Sequence, residues 1–254
     1  IQWVGIHHAF LASIIFALIL LVFSVVFIRD GVILKHEGGS LRSTLKEVFL
    51  EVWSIMNQPM IWLNAFIGVC LYMPTTIFAG LWGIPYLVDV KHIELSHAGL
   101  LNSCIFYGWA LGGLIIGPWS NYLGCRLRPI QYGSMGALLV SMLLFFGPVE
   151  RALPLALCFF LFGLFSSVEI LIFAISHELA PRRLCGTVVA ITNTVIMCGG
   201  FLQPVVGYLL EVGKHIHPVE SDYQRALLVI PCSFLLAFIL SFFLKETHGK
   251  MIDS

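Results

Sequence analysis

Charge is what this sequence has least of. Among 254 residues only 11% are Asp, Glu, Lys or Arg, while 59% are hydrophobic, against about one quarter charged in a soluble domain. A water-soluble globule is excluded. The 14 Lys and Arg balance 14 Asp and Glu, so no basic surface points to nucleic acid and no acidic tail to a solvating role. No Gly-rich phosphate loop is present, which argues against transport powered directly by ATP hydrolysis within this chain. No C-x-x-C pair occurs either. The seven cysteines, at 70, 104, 125, 158, 185, 198 and 232, are scattered singly and mostly sit inside apolar runs; they read as small buried hydrophobes rather than ligands or disulfides. His177-Glu178 opens a zinc-type H-E-x-x-H pattern, but Pro181 stands where the second His is needed. Asp30, Asp89, Asp222 and Asp253 all fall in loops or tails, so an intramembrane aspartyl dyad is absent. No metal, cofactor or enzymatic chemistry is expected.

What is there is a set of long apolar runs. A membrane-spanning helix needs about 20 mostly apolar residues, and seven stretches qualify: Trp3 to Ile28, Met60 to Val88, Ala98 to Tyr122, Pro129 to Val149, Leu153 to Ser176, Cys185 to Val212 and Arg225 to Leu244. The first lacks the basic start and small-residue cleavage site of a signal peptide. Between the first two runs lies the longest polar stretch, 29–58, a linker in which Leu41, Leu45, Val48, Phe49, Val52 and Trp53 recur at helical spacing. That pattern suits an amphipathic helix at the membrane surface, and equally a solvated entry to the next span. Cytoplasmic loops carry the excess of Lys and Arg. Arg29, Lys35, Arg42, Lys46, Arg126, Arg128, Arg182, Arg183, Lys245 and Lys250 fall on one side, against Lys91, Arg151, Lys214 and Arg225 on the other. The C-terminus is therefore expected inside and residue 1 outside, and the chain, opening on Ile, looks truncated.

Two local patterns suggest a solute path. In the second run Pro74, Gly80, Gly83 and Pro85 accumulate among aromatics. Pro removes a backbone hydrogen bond, so this helix should kink or unwind, and non-helical backbone at membrane depth has to face protein or water rather than lipid. Tyr72, Thr75, Trp82 and Tyr86 share one helical face there and are candidate cavity residues; Trp82 and Tyr86 also suit interfacial anchors. The second pattern is a single acid. Of the 14 acidic residues only Glu169 lies well inside a run, about 10 Å from the helix end at His177. A lone carboxylate is expensive in hydrocarbon and normally faces the bundle interior. Glu169 is the candidate for binding a cationic group or a driving proton, with Ser166 on its face and Asn193 as its expected hydrogen-bond partner; a protonated structural acid is the alternative. Asn64, Asn102, Ser103, Tyr107, Thr194 and Gln203 could line the cavity or act as polar glue between helices, glue being the more usual role. His7 and His8 close the outer end of the first run as a solvated pair.

The turn Gly117-Pro118-Trp119-Ser120-Asn121-Tyr122-Leu123-Gly124-Cys125-Arg126 resembles the G-x-x-S-D-x-x-G-x-R signature of the major facilitator superfamily of secondary transporters. Small Gly residues would let two helices approach closely. The resemblance makes Gly117, Asn121, Gly124 and Arg126 a gate motif; Asn121 stands where the family usually has Asp, which would weaken a charge-based latch. Glu178, Pro181, Gly186, Thr187, Gly199, Gly200, Pro204 and Gly207 are similar to the family's tenth-to-eleventh helix junction, and Lys245-Glu246-Thr247 to the tail after its last helix. The implied fold class is all-α integral membrane, its seven spans corresponding to helices 6–12 of a twelve-helix fold. Residues 1–28 would then end the N-terminal half, 29–58 form the interdomain linker and 59–254 the C-terminal six-helix half. The implied function is secondary transport of an amino acid, dipeptide or organic anion by alternating access, proton-coupled, with the missing N-terminal half, the bilayer, the solute and protons as partners. The run Leu81-Trp82-Gly83-Ile84-Pro85-Tyr86-Leu87 looks like the branch containing phagosomal nutrient transporters and lysosomal dipeptide carriers, and the likeness to bacterial-type carriers suggests the bacterial inner membrane. A uniporter is the alternative, followed by a heptahelical receptor; the latter lacks a Lys midway along the last run and an acidic-Arg-aromatic triplet closing the third.

Overall fold

The computed structural model describes residues 3–27, 50, 52–212 and 220–251. Seven helical stretches in it are long and apolar enough to cross a membrane. They are Phe10–Phe27, Pro59–Asp89, Leu95–Leu123, Leu127–Phe146, Ala152–Glu178, Arg182–Glu211 and Glu220–Ser241, called here the first to seventh spans. No strand occurs among the described residues. The chain is an all-α, multi-pass membrane protein, as the apolar runs require. It divides into two compact units, Ile1–Glu47 and Val48–Ser254. The first unit contributes the helix Trp3–Phe27, whose described side chains are almost all exposed within the unit. Most of the expected 29–58 linker, including the proposed amphipathic segment up to 49, lies outside the described residues, while 52–56 are helical.

In the second unit the third span packs most closely on the fifth, the fourth on the fifth and seventh, and the second on the sixth and seventh. Lipid gives no hydrophobic drive between helices, so contact depends on van der Waals fit and small residues. The fit is tightest at Gly108 and Gly163. A Cβ on Gly108 would lie 1.9 Å from the Phe160 carbonyl oxygen, and one on Gly163 would lie 1.8 Å from that of Ile105. Any side chain at either position would drive the third and fifth spans apart. At the motif glycines no such approach is seen: among the described residues, and apart from the local backbone, nothing lies within 4 Å of a Cβ placed on Gly117 or Gly124. Gly124 serves instead as the left-handed C-cap of the third span, with φ 63°, where a Cβ would be strained. All seven cysteines are free thiols; Cys70, Cys125, Cys158 and Cys185 are buried as expected, whereas Cys104 is half-buried and Cys198 and Cys232 are exposed.

Candidate functional site

The second span breaks where its Pro and Gly residues accumulate. Regular α-helix over Pro59–Pro74 gives way to a π-helix over Thr75–Trp82, then resumes over Gly83–Asp89. A π-helix bonds i to i+5, so it takes up more residues per turn and shifts the phase of everything after it. The expected single face of Tyr72, Thr75, Trp82 and Tyr86 is therefore split. Tyr72 is half-buried and Thr75 buried, while Trp82 lies against Gly207 of the sixth span. Tyr86 turns into the bundle interior, fully buried, with its ring against Phe78, Phe145 and Tyr223 and its hydroxyl donating to the Leu144 carbonyl at 3.1 Å. In this conformation Tyr86 is a packing residue, neither an interfacial anchor nor open to a solute.

Two side chains reach the loosened backbone. Asn102 of the third span donates to the Ala79 carbonyl at 2.8 Å, and Gln203 of the sixth donates to that of Thr76 at 2.9 Å. Asn64 similarly ties the second span to the fifth through the Ile172 carbonyl and the Ser176 hydroxyl, each at 2.9 Å. These three residues are the glue that their positions suggested. Around the break, however, Thr75 Oγ1, Trp82 Nε1 and Asn102 Oδ1 are buried without a hydrogen-bond partner among the described residues, as are Asn64 Oδ1 and Trp109 Nε1 elsewhere. Buried polar atoms are nearly always paired, so this group stands out.

The fifth span is also interrupted. Its α-helix Ala152–Ser166 passes through a 3-10 turn, Ser167–Glu169, before continuing over Ile170–Glu178. The turn packs against the second, third and fourth spans. Glu169 ends it, 3% exposed, and among the described residues no hydrogen bond or ion pair reaches its carboxylate. The partner expected for it, Asn193, is instead on the exposed face of the sixth span. Ser166 is buried and donates to the Phe162 carbonyl at 2.7 Å, within its own helix. The structure thus brings Glu169 to an interruption of its span, as a bare acid, and leaves Asn193 apart from it.

At the basic end of the bundle the opposite holds. Arg126 follows the Gly124 turn, and its guanidinium donates to Glu178 through Nε at 3.0 Å and Nη2 at 2.7 Å, and through Nη1 to Ser120 Oγ at 2.9 Å and Asn121 Oδ1 at 2.7 Å. The Arg126 cluster is charged, despite Asn121. Its acid is Glu178, from the end of the fifth span, and Asn121 is a neutral acceptor beside it. The C-terminal tail closes the network: Thr247 donates its hydroxyl to Glu178, and Glu246 accepts the backbone N–H of Arg126 at 2.7 Å and of Leu127 at 2.9 Å. Those N–H groups open the fourth span, so Glu246 caps a helix N-terminus from another part of the chain. Burial by itself raises the Glu246 carboxyl, but the N–H groups of Arg126, Leu127 and His248 outweigh it and hold it below the usual carboxylate range. Sequence reasoning noted Glu178 and Glu246 only as motif letters. Their spacing from Arg126, 52 and 120 residues, gives no local signal of contact.

Comparison with known proteins agrees with this architecture. Residues 1–204 match the Major Facilitator Superfamily. The chain is also 23% identical over 167 residues to the major facilitator superfamily multidrug transporter FLU1 of Candida albicans, a match covering 65% of this chain and 26% of that protein. The matched region is about a quarter of the relative's length. That relative is fungal, so it lends no support to a bacterial membrane.

Proposed function

Because the chain belongs to the major facilitator superfamily, a family of membrane transporters and not of enzymes, we propose that it forms one wall of the path of a small solute, moved by alternating access and coupled to protons. The observation that carries the reading is the pairing of two interrupted spans in one bundle: a π-helical break with three unpaired polar atoms and a 3-10 turn ending in a bare carboxylate. Broken helices in carriers present freed backbone and polar groups to solute and ion rather than to lipid. Thr75, Trp82 and Asn102 are the proposed solute contacts and Glu169 the proton or cation site. The Arg126–Glu178 pair is the proposed latch of the inward gate, with the basic end cytoplasmic by its Lys and Arg excess. An amino acid, dipeptide or organic anion remains the proposed solute class, supported by the Leu81 to Leu87 run. The multidrug name of the fungal relative supports a second class, an apolar drug-like solute.

The test is uptake into proteoliposomes by the full-length parent protein of labelled amino acids, dipeptides, organic acids and a lipophilic dye, with and without an imposed pH gradient. Gradient-dependent accumulation of one class is the expected result. Equilibration that ignores the gradient would remove the coupling role of Glu169 and leave a uniporter, and no uptake of any class would remove the transport reading.

A further inference from the structure

Between the third and fourth spans, over the fifth, runs a narrow apolar crevice of about 180 Å³. Gly112, Ile116 and Trp119 form one wall, Tyr132 the other, and Phe165 and Val168 the floor. It exists because the two wall helices barely touch while both press on the fifth span. Gly112 and Gly133 let that floor rise between them: a Cβ on Gly133 would lie 2.2 Å from Val168 Cγ1. Trp119 and Tyr132 are the only polar side chains lining it, and their rings stack across it at 6.2 Å between centroids. Tyr132 is 60% exposed, so the crevice opens outward from the bundle. An apolar cavity of about 150 Å³ stays dry and takes up an apolar molecule.

One turn from Tyr132 toward the basic end stands Arg128. The two are at i and i+4 on the helix Leu127–Phe146 and so lie on one face. Unlike Arg126, the exposed Arg128 meets no acid among the described residues. The arrangement is an apolar slot at membrane depth, a Trp–Tyr pair of the kind found at headgroup level, and a free cation beyond them. We propose that this crevice binds an anionic phospholipid, an acyl chain in the slot and its phosphate on Arg128. Asn193 on the sixth span and Tyr107 elsewhere on the third, exposed polar residues that a protein neighbour could cover, are not among the lining residues.

The full-length parent protein in phosphatidylcholine vesicles would be titrated with dibrominated phosphatidylglycerol or dibrominated phosphatidylcholine. The Trp119 signal is the difference between this protein and its W119F variant. Half-quenching of that signal is expected at a mole fraction about fivefold lower for phosphatidylglycerol, as one interfacial cation allows. R128Q should merge the two curves, and R128K should keep them apart. Mass spectrometry of lipid co-purified with protein retaining Trp119 gives the same ranking should W119F fail to fold. Equal curves for the two lipids, a preference that survives R128Q, or a Trp119 signal reached by neither lipid would each overturn the proposal, the last by showing the slot covered by protein.

Discussion

Glu178 at the basic end of the bundle and Glu169 inside the fifth span belong to one helical stretch and are both nearly fully buried, 5% and 3% exposed. Their surroundings differ completely. Glu178 is held by Arg126 and Thr247, whereas nothing among the described residues bonds to Glu169. A buried charge that is fully paired defines a position, and removing its partner is costly. A buried acid without partners contributes little to holding the fold and is retained for some other reason. Nine residues of one span therefore separate a paired carboxylate from one that meets no partner among the described residues.

That contrast is broken most directly at Glu178. Glu178→Ala leaves Arg126, only 12% exposed at its side chain, without a counter-charge, and should lower stability by about 3 kcal/mol. The thermal midpoint of the purified parent protein reads this. The double variant R126Q/E178Q should recover most of the loss, and a single variant within about 0.5 kcal/mol of the parent would show the pair to be ornamental. Glu246→Gln is next. It weakens the cap on the fourth span and should cost about 1 kcal/mol. The same group sets a pH limit. Its folded pKa is lowered, so its contribution is fully present above the ordinary carboxylate value near 4.5 and is lost as pH falls through the lower folded value. Stability of the parent should drop at the acid end of a pH series, and E246Q should show a smaller drop. The smallest effect is expected at Gln203→Leu, which leaves the Thr76 carbonyl unbonded at the second-span break. Buried interhelical hydrogen bonds in membranes average about 0.6 kcal/mol, and a loss several times larger would mean that the π-helix depends on this one contact.

The same contrast shows what could be read in advance. Apolar runs of the right length placed five of the seven spans within three residues of the observed ends, while the first and seventh differ by seven and five residues at their starts, because lipid leaves the backbone no alternative to helix. The break in the second span was legible from Pro74 and the glycines after it. Its phase was not: the extra residue per turn in Thr75–Trp82 turned Tyr86 away from Thr75, and periodicity counted at 3.6 residues cannot anticipate that. The motif turn is where glycines suggest close packing, yet among the described residues nothing beyond the local backbone approaches a Cβ placed on Gly117. The spacing Gly108-x-x-x-Gly112 was the signal that marked the true contact. Asn121 in the motif suggests a weakened charge pair, yet Arg126 finds its acid, Glu178, on another span. Long-range pairs of this kind leave no trace in local sequence.

Proton coupling, as proposed, rests on Glu169. Glu169→Gln keeps size and hydrogen-bonding capacity but cannot ionise, so in full-length protein of unchanged thermal midpoint it should abolish accumulation driven by a pH gradient while equilibrating exchange of the same solute continues. Gradient-driven accumulation equal to that of the parent would contradict the claim that this bare acid couples transport to protons.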